Sequence, residues 1–333
     1  MSPVLRLSLV AAAAALSLAA QGIKWGGPIS GLVYDSPTKS LRQILGFPGG
    51  ARLGPALLEG IEWAAVSPAG KAALVVVEAQ ARLVTSLDLA QGAPGLVLDG
   101  LTEEPKLARW AEDSSWVVVY SSAGRSLQRV LFTSANPVVE PPVAIDGLDE
   151  ELTALASDRT GETLAAVTAK GVVLLLTRDG VATPLLPQVE ATAIAINREG
   201  TMLWAADRAL QRIIRFPIGG PDSVEETVLS DPEKLADVTV LGVSADGKRL
   251  TLADRSALLL HQLDIDQRSL DEGLQLDAPA TALYPLGDPG LKLLSPRGKQ
   301  GEPLYLLDER RSPSVFFVPA SSFVPASEKE QAQ

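Results

Sequence analysis

The chain has 333 residues, 46% hydrophobic and 21% charged, a globular composition that excludes a wholly disordered protein and leaves room for a sizeable core. Twenty-nine Lys and Arg stand against 40 Asp and Glu, a formal net charge of −11. That balance argues against a nucleic-acid surface, whose affinity comes mostly from phosphate neutralisation, and suits a basic partner better. The absence of cysteine excludes a disulfide framework, a thiol nucleophile and a Cys-ligated metal.

In chain order, residues 1–20 read as an export signal. Arg6 supplies the positive start, Leu7 to Leu18 the apolar run, and Ser17-Leu18-Ala19 a small-x-small cleavage site. The run is shorter than the roughly 20 apolar residues of a membrane span, and no later stretch is long enough to cross a bilayer. The expected location is therefore the bacterial periplasm or the extracellular space. Trp25 follows the cleavage site and reads as a docking contact of the N-terminal segment.

Next come ISGLVYD (29–35) and LRQILGF (41–47), which look like the later strands of a repeat unit. From residue 61 a turn phrase recurs ahead of an apolar run. AAVSPAG (64–70) precedes KAALVVVE, ALASDRTG (154–161) precedes ETLAAVTA, AIAINREG (193–200) precedes TMLWAAD, and VLGVSADG (240–247) precedes KRLTLAD. LARWAEDS (107–114) and ALYPLGDPG (282–290) are degenerate copies. From Gly70 to Gly290 is 220 residues in five steps, a period of about 44, which fits four-stranded propeller blades. Each unit continues with a second pair of short apolar runs, such as LVTSLDL (83–89) with APGLVLDG (93–100), and no helical stripe is evident after the signal. Ser244, Asp246 and Gly247 read as a turn between strands rather than a calcium loop, because Ala245 and Lys248 occupy positions where oxygen ligands would be needed.

The expectation is an all-β fold, a β-propeller of four-stranded blades over residues 21–320. Seven blades is the first reading, and six with an added hairpin the alternative. Proximity of the ends would let Ile29–Phe47 pair with SVFFV (314–318) and close the ring. Residues 321–333 read as a flexible polar tail.

The phrases Val66-Ser67-Pro68-Ala69-Gly70-Lys71, Val243 to Asp254, and Ile196 to Gly200 with Trp204-Ala205-Ala206-Asp207 resemble the repeats of the WD40-like and YVTN (lactonase-like) propeller superfamily. RWAEDSSWVVVYSS (109–122) resembles TolB-type repeats. The resemblance covers about residues 60–320 and implies blade architecture without an activity. Lactonase-like propellers place acids around the central channel, often holding a divalent cation.

The chemical inventory is sparse. His261 is the sole histidine and falls in a strand, on the same alternation as Leu259, Leu263 and Ile265, so it reads as packed rather than catalytic. Gly49-Gly50 and Gly219-Gly220 are turn pairs without a following helix, not phosphate cradles. Trp63, Trp110, Trp116 and Trp204 read as blade-packing residues, and Arg310-Arg311 as a solvated hairpin tip. An acid lies ahead of each turn phrase, in the loops leading to successive inner strands: Glu59, Glu104, Glu151, Glu190, Asp237 and Asp277. Such a ring would focus a negative field at the channel mouth and bind a basic segment, or a cation such as Ca²⁺. No other cofactor is expected.

The inventory favours an exported, non-catalytic propeller that binds a protein or envelope component. The alternative is a lactonase-like sugar-acid hydrolase with a divalent cation at the channel mouth.

Overall fold

A computed structural model describes residues 28–320, apart from 102–103, 133–135, 221–222, 296–298 and 300. Residues 1–20, read above as an export signal, Trp25, and residues 321–333, read as a tail, lie outside the described residues.

Twenty-nine strands among the described residues form seven antiparallel sheets, each built from strands consecutive in the chain. The strand content follows from the sequence: short β-branched and leucine-rich runs punctuated by Gly, Asp and Ser. Second strands are buried on both sides, as in Trp116–Ser121, where all six residues are buried. Outer strands of blades two, three and six are only two residues long, as in Leu96–Val97, which limits exposed edges there. Seven apolar clusters fill the spaces between neighbouring sheets. Each sheet is therefore a blade, and the ring has seven.

The turn phrases close the first hairpin of a blade as expected. Gly70, Gly161, Gly200 and Gly247 have φ between +63° and +75°, and Ser114 takes the position at +64° in blade three. Asp246 is used locally: its Oδ1 is 2.5 Å from Ser244 Oγ and accepts the Lys248 N–H. Its carboxyl is held below the ordinary value chiefly by the Ser244 hydroxyl.

Three expectations need correction. In blade seven the turn glycine is Gly287, at φ +64°, and Gly290 lies inside the following strand Asp288–Ser295. Within LVTSLDL the strand stops at Thr85 and a short helix, Ser86–Gln91, follows. The Thr85 side chain accepts from the Asp88 N–H while Asp88 accepts from the Thr85 N–H, a reciprocal cap that satisfies two otherwise unpaired donors at the start of this helix. Finally, Ser314–Val318 pairs with Leu304–Asp308 as the outer strand of blade seven, not with Ile29–Phe47. The ring instead closes by packing: Val33, Ile44 and Leu53 of blade one meet Leu286, Leu293, Leu306 and Val318 of blade seven.

Blade one has three described strands, Ile29–Asp35, Ser40–Leu45 and Arg52–Glu59, in that order. Two contacts identify their rank. The Ile61 N–H donates to Lys39 O at 2.9 Å, as Ala191 N–H donates to Gly171 O, and Gly171 lies between the second and third strands of blade four. The Arg42–Asp35 ion pair repeats Arg212–Asp207, in which Asp207 ends a second strand. Ile29–Asp35 is thus a second strand, consistent with reading this region as later strands. No inner strand of blade one is present among the described residues.

Candidate functional site

Each inner strand starts at one rim of the ring, called here the upper rim, and turns at the lower rim. Antiparallel pairing brings the loops between second and third strands back to the upper rim. Five inner strands share one irregularity: the register with the second strand slips after the first residue, at Ile61/Trp63, Pro105/Leu107, Leu152/Ala154, Ala191/Ala193 and Val238/Val240. A bulge re-aims the extra residue, here Glu62, Lys106, Thr153, Thr192 and Thr239 at the channel mouth. Thr192 donates its hydroxyl to Val238 O, and Thr239 donates to Ala280 O at 2.7 Å. These bonds tie blade five to six and six to seven. Lys106 reaches blade four, where it pairs with Glu151.

Three of the expected acids sit together in this pattern. Glu151, Glu190 and Asp237 each directly precede an inner strand. Their carbonyls accept the N–H of Ala169, Arg208 and Arg255, the residues that leave the second strands, at 2.9, 3.0 and 2.9 Å. Their carboxylates meet cations: Lys106 with Glu151, Arg208 with Glu190, and Arg255 with Asp237, the last at 2.7 Å. Lys170 pairs with the adjacent Glu150, whose hydrogen bond holds that carboxyl below the ordinary glutamate value. Glu104 is exposed just before the inner strand of blade three. Glu59 is exposed at the end of the outer strand of blade one, and Asp277 is exposed well ahead of Tyr284. Among the described residues no three His, Asp or Glu side chains converge in a way that could hold a metal ion.

Sequence reading passed over a second set of acids. Asp35, Asp207 and Asp254 end second strands and are 1–2% exposed. Asp254 accepts from the Asp237 and Ala257 N–H groups and the Ser256 hydroxyl. Burial pushes its carboxyl up, and these donors outweigh that and hold it low. Asp207 pairs with Arg212 at 2.9 Å and accepts the Ala209 N–H. The signal was legible in the endings VYD, AAD and LAD, which place Asp where a strand must hand its chain to a turn.

At the lower rim, Arg198 of blade five grips Glu112 of blade three through two bonds of 2.8 Å, spanning blade four. A cleft of about 30 Å³ between blades three and four, lined in part by Gln128, Arg129, Glu140 and Arg178, has room for about one water.

His261 is fully buried, its Nδ1 3.3 Å from Asp271 O, and it sits in a third strand as expected. Trp110, Trp116 and Trp204 are buried and Trp63 packs against the cluster between blades two and three. The Arg310 hairpin tip is exposed and ion-paired to Asp308 and Asp288. Its neighbour Glu309 is only partly exposed. It pairs with Lys292 and accepts from Thr251 of blade six.

No protein-family model and no curated protein matches the chain. Solved structures of similar shape number 1653 chains, which marks a widely used scaffold rather than an activity. One is the β-propeller domain of Cps50 (Swd1) from Myceliophteria thermophila, 12% identical, with a TM-score of 0.51, covering 87% of this chain and 96% of that one. The likeness is one of fold: this chain is a seven-bladed β-propeller.

Proposed function

We propose that the chain is an exported, non-catalytic propeller that binds a protein or envelope component through its upper rim. The observation that carries this reading is the run of ion pairs at the mouth of the channel in successive blades. Their groups stay accessible, with Arg208 and Glu190 51% and 41% exposed and Lys106 and Glu151 42% and 52%. Exposed pairs of this kind contribute little to stability, so their repetition is not explained by folding. They can exchange partners: a basic segment of an incoming protein takes over Glu151, Glu190 and Asp237 while Lys106, Arg208 and Arg255 turn to its acids. Charge matching of this type sets specificity and association rate more than affinity. The net charge of −11 favours a basic partner, and the apolar run at residues 7–18 supports export to the periplasm or beyond.

The test compares capture from envelope extracts by the mature protein and by a Glu151→Gln, Glu190→Gln, Asp237→Asn variant. The expected result is a partner retained by the first, lost by the second and released by salt. Equal capture by both, or hydrolysis of lactone substrates by the purified protein, overturns the reading.

A further inference from the structure

The inner strands of blades two to six pair with their second strands in one shared register, so their positions can be compared directly. The last residue but one, close to the lower rim, is Ala65, Ala156, Ala195 or Gly242 in four blades and Arg109 in blade three. The last residue is apolar in four blades, Val66, Trp110, Ile196 or Val243, and is Ser157 in blade four. The first of these positions faces the second one in the next blade. The Trp110 indole donates to Ala65 O at 3.2 Å, Ala156 shares an apolar cluster with Ile196, and Ala195 packs with Val243. The one arginine in this series therefore meets the one serine: Arg109 Nε donates to Ser157 Oγ at 3.3 Å across the seam of blades three and four.

The couple has donors to spare. Ser157 is 5% exposed, and among the described residues nothing accepts from its hydroxyl or from the two terminal nitrogens of Arg109. Burial pushes the guanidinium below its ordinary value, and the charge of Glu112 offsets this only in part. Glu112 is itself engaged, because Arg198 holds both its carboxylate oxygens at 2.8 Å. An enclosed cation without a carboxylate of its own is costly, and the matching positions in the other blades carry small or apolar residues instead. We propose that Arg109 and Ser157 anchor a binding site for a short-chain monocarboxylate at the channel wall. The planar fork of the guanidinium matches the two oxygens of a carboxylate, and the Ser157 hydroxyl donates a further bond. One guanidinium balances one negative charge, while the nearby charge of Glu112 disfavours a dianion such as phosphate. Leu107 and Leu155 lie two residues closer to the upper rim, on the same faces of their strands as Arg109 and Ser157. Both are only partly buried against the cluster between these blades and supply apolar contact for a short alkyl chain.

Thermal shift of the full chain with sodium acetate and sodium butyrate, against sodium chloride at equal ionic strength, tests this. The expected result is a saturable rise in Tm, about 2–4 °C at roughly ten times Kd, and tighter binding of butyrate than of acetate. Arg109→Met keeps an apolar stem and removes the charge. It abolishes the response and leaves the ligand-free Tm unchanged or higher, since no native ion pair is lost. Arg109→Lys keeps the charge without the fork and binds butyrate more weakly than the native chain. Ser157→Ala weakens butyrate binding about tenfold by titration calorimetry, and Arg310→Gln, at the exposed hairpin tip, leaves it intact. The site lies at the opposite end of the strands from Glu151, Glu190 and Asp237, so Arg109→Met does not alter capture through the upper rim. A rise no larger than that with chloride, an equal rise in Arg109→Met, or a larger rise with inorganic phosphate overturns the proposal.

Discussion

Gly273 shows how one backbone position constrains a buried side chain. Its φ is +82°, and a Cβ there would lie 2.6 Å from the His261 ring, which is enclosed in blade six. Gly273→Ala combines a disfavoured backbone with overpacking against a ring that cannot retreat, and is expected to cost about 2–4 kcal/mol, read from the urea midpoint. Glu309 carries a pH dependence. Burial pushes its carboxyl up, but Lys292 and the hydrogen bonds from Thr251 and Gln262 outweigh burial and hold it below the ordinary value near 4.5. Because the folded state favours the charged form, its stabilisation is complete above the unfolded-state value and is lost as pH falls below it. Glu309→Gln is therefore expected to flatten the decline in stability below about pH 4.5, measured by denaturant titration across pH.

At the scale of elements, the short helix Ser86–Gln91 rests on its cap, since six residues cannot sustain a helix by propensity. Thr85→Ala removes the side-chain acceptor and is expected to lower stability by about 1 kcal/mol, with exchange of the Asp88 amide accelerated. Its Thr-x-x-Asp spacing was present in the sequence but masked by an apolar run that also fits a strand. The ALYPLGDPG turn misled in a similar way: two glycines three apart can each close a hairpin, and the contact of Gly287 with Pro68 in another blade selects the earlier one. By contrast, the VSADG turn was legible because Ser244, Asp246 and Gly247 satisfy one another locally. Of the expected acids, Glu104, Glu151, Glu190 and Asp237 directly precede inner strands; the last three meet cations. Their cationic partners were not foreseen, because Lys106, Arg208 and Arg255 lie 45, 18 and 18 residues away.

At the scale of the molecule, each blade depends on its neighbours, because the apolar clusters lie between blades rather than within them. The seam between blades one and seven should therefore matter as much as any other. Leu293→Ala, in the cluster that joins them, is expected to cost about 2–5 kcal/mol by calorimetry. At the upper rim, Ca²⁺, Mg²⁺ or Mn²⁺ is expected to leave Tm unchanged in a thermal-shift titration, since among the described residues no three acidic or histidine side chains converge to hold an ion. The sequence by itself determined the all-β class, the repeat of about 44 residues and the blade turns, because these rest on alternation and on side chains bonding their own backbone. Only the tertiary structure decided how the ring closes, which glycine turns blade seven, and which cation faces each acid. Those depend on contacts between distant residues, whose distance in space is not written in their spacing along the chain.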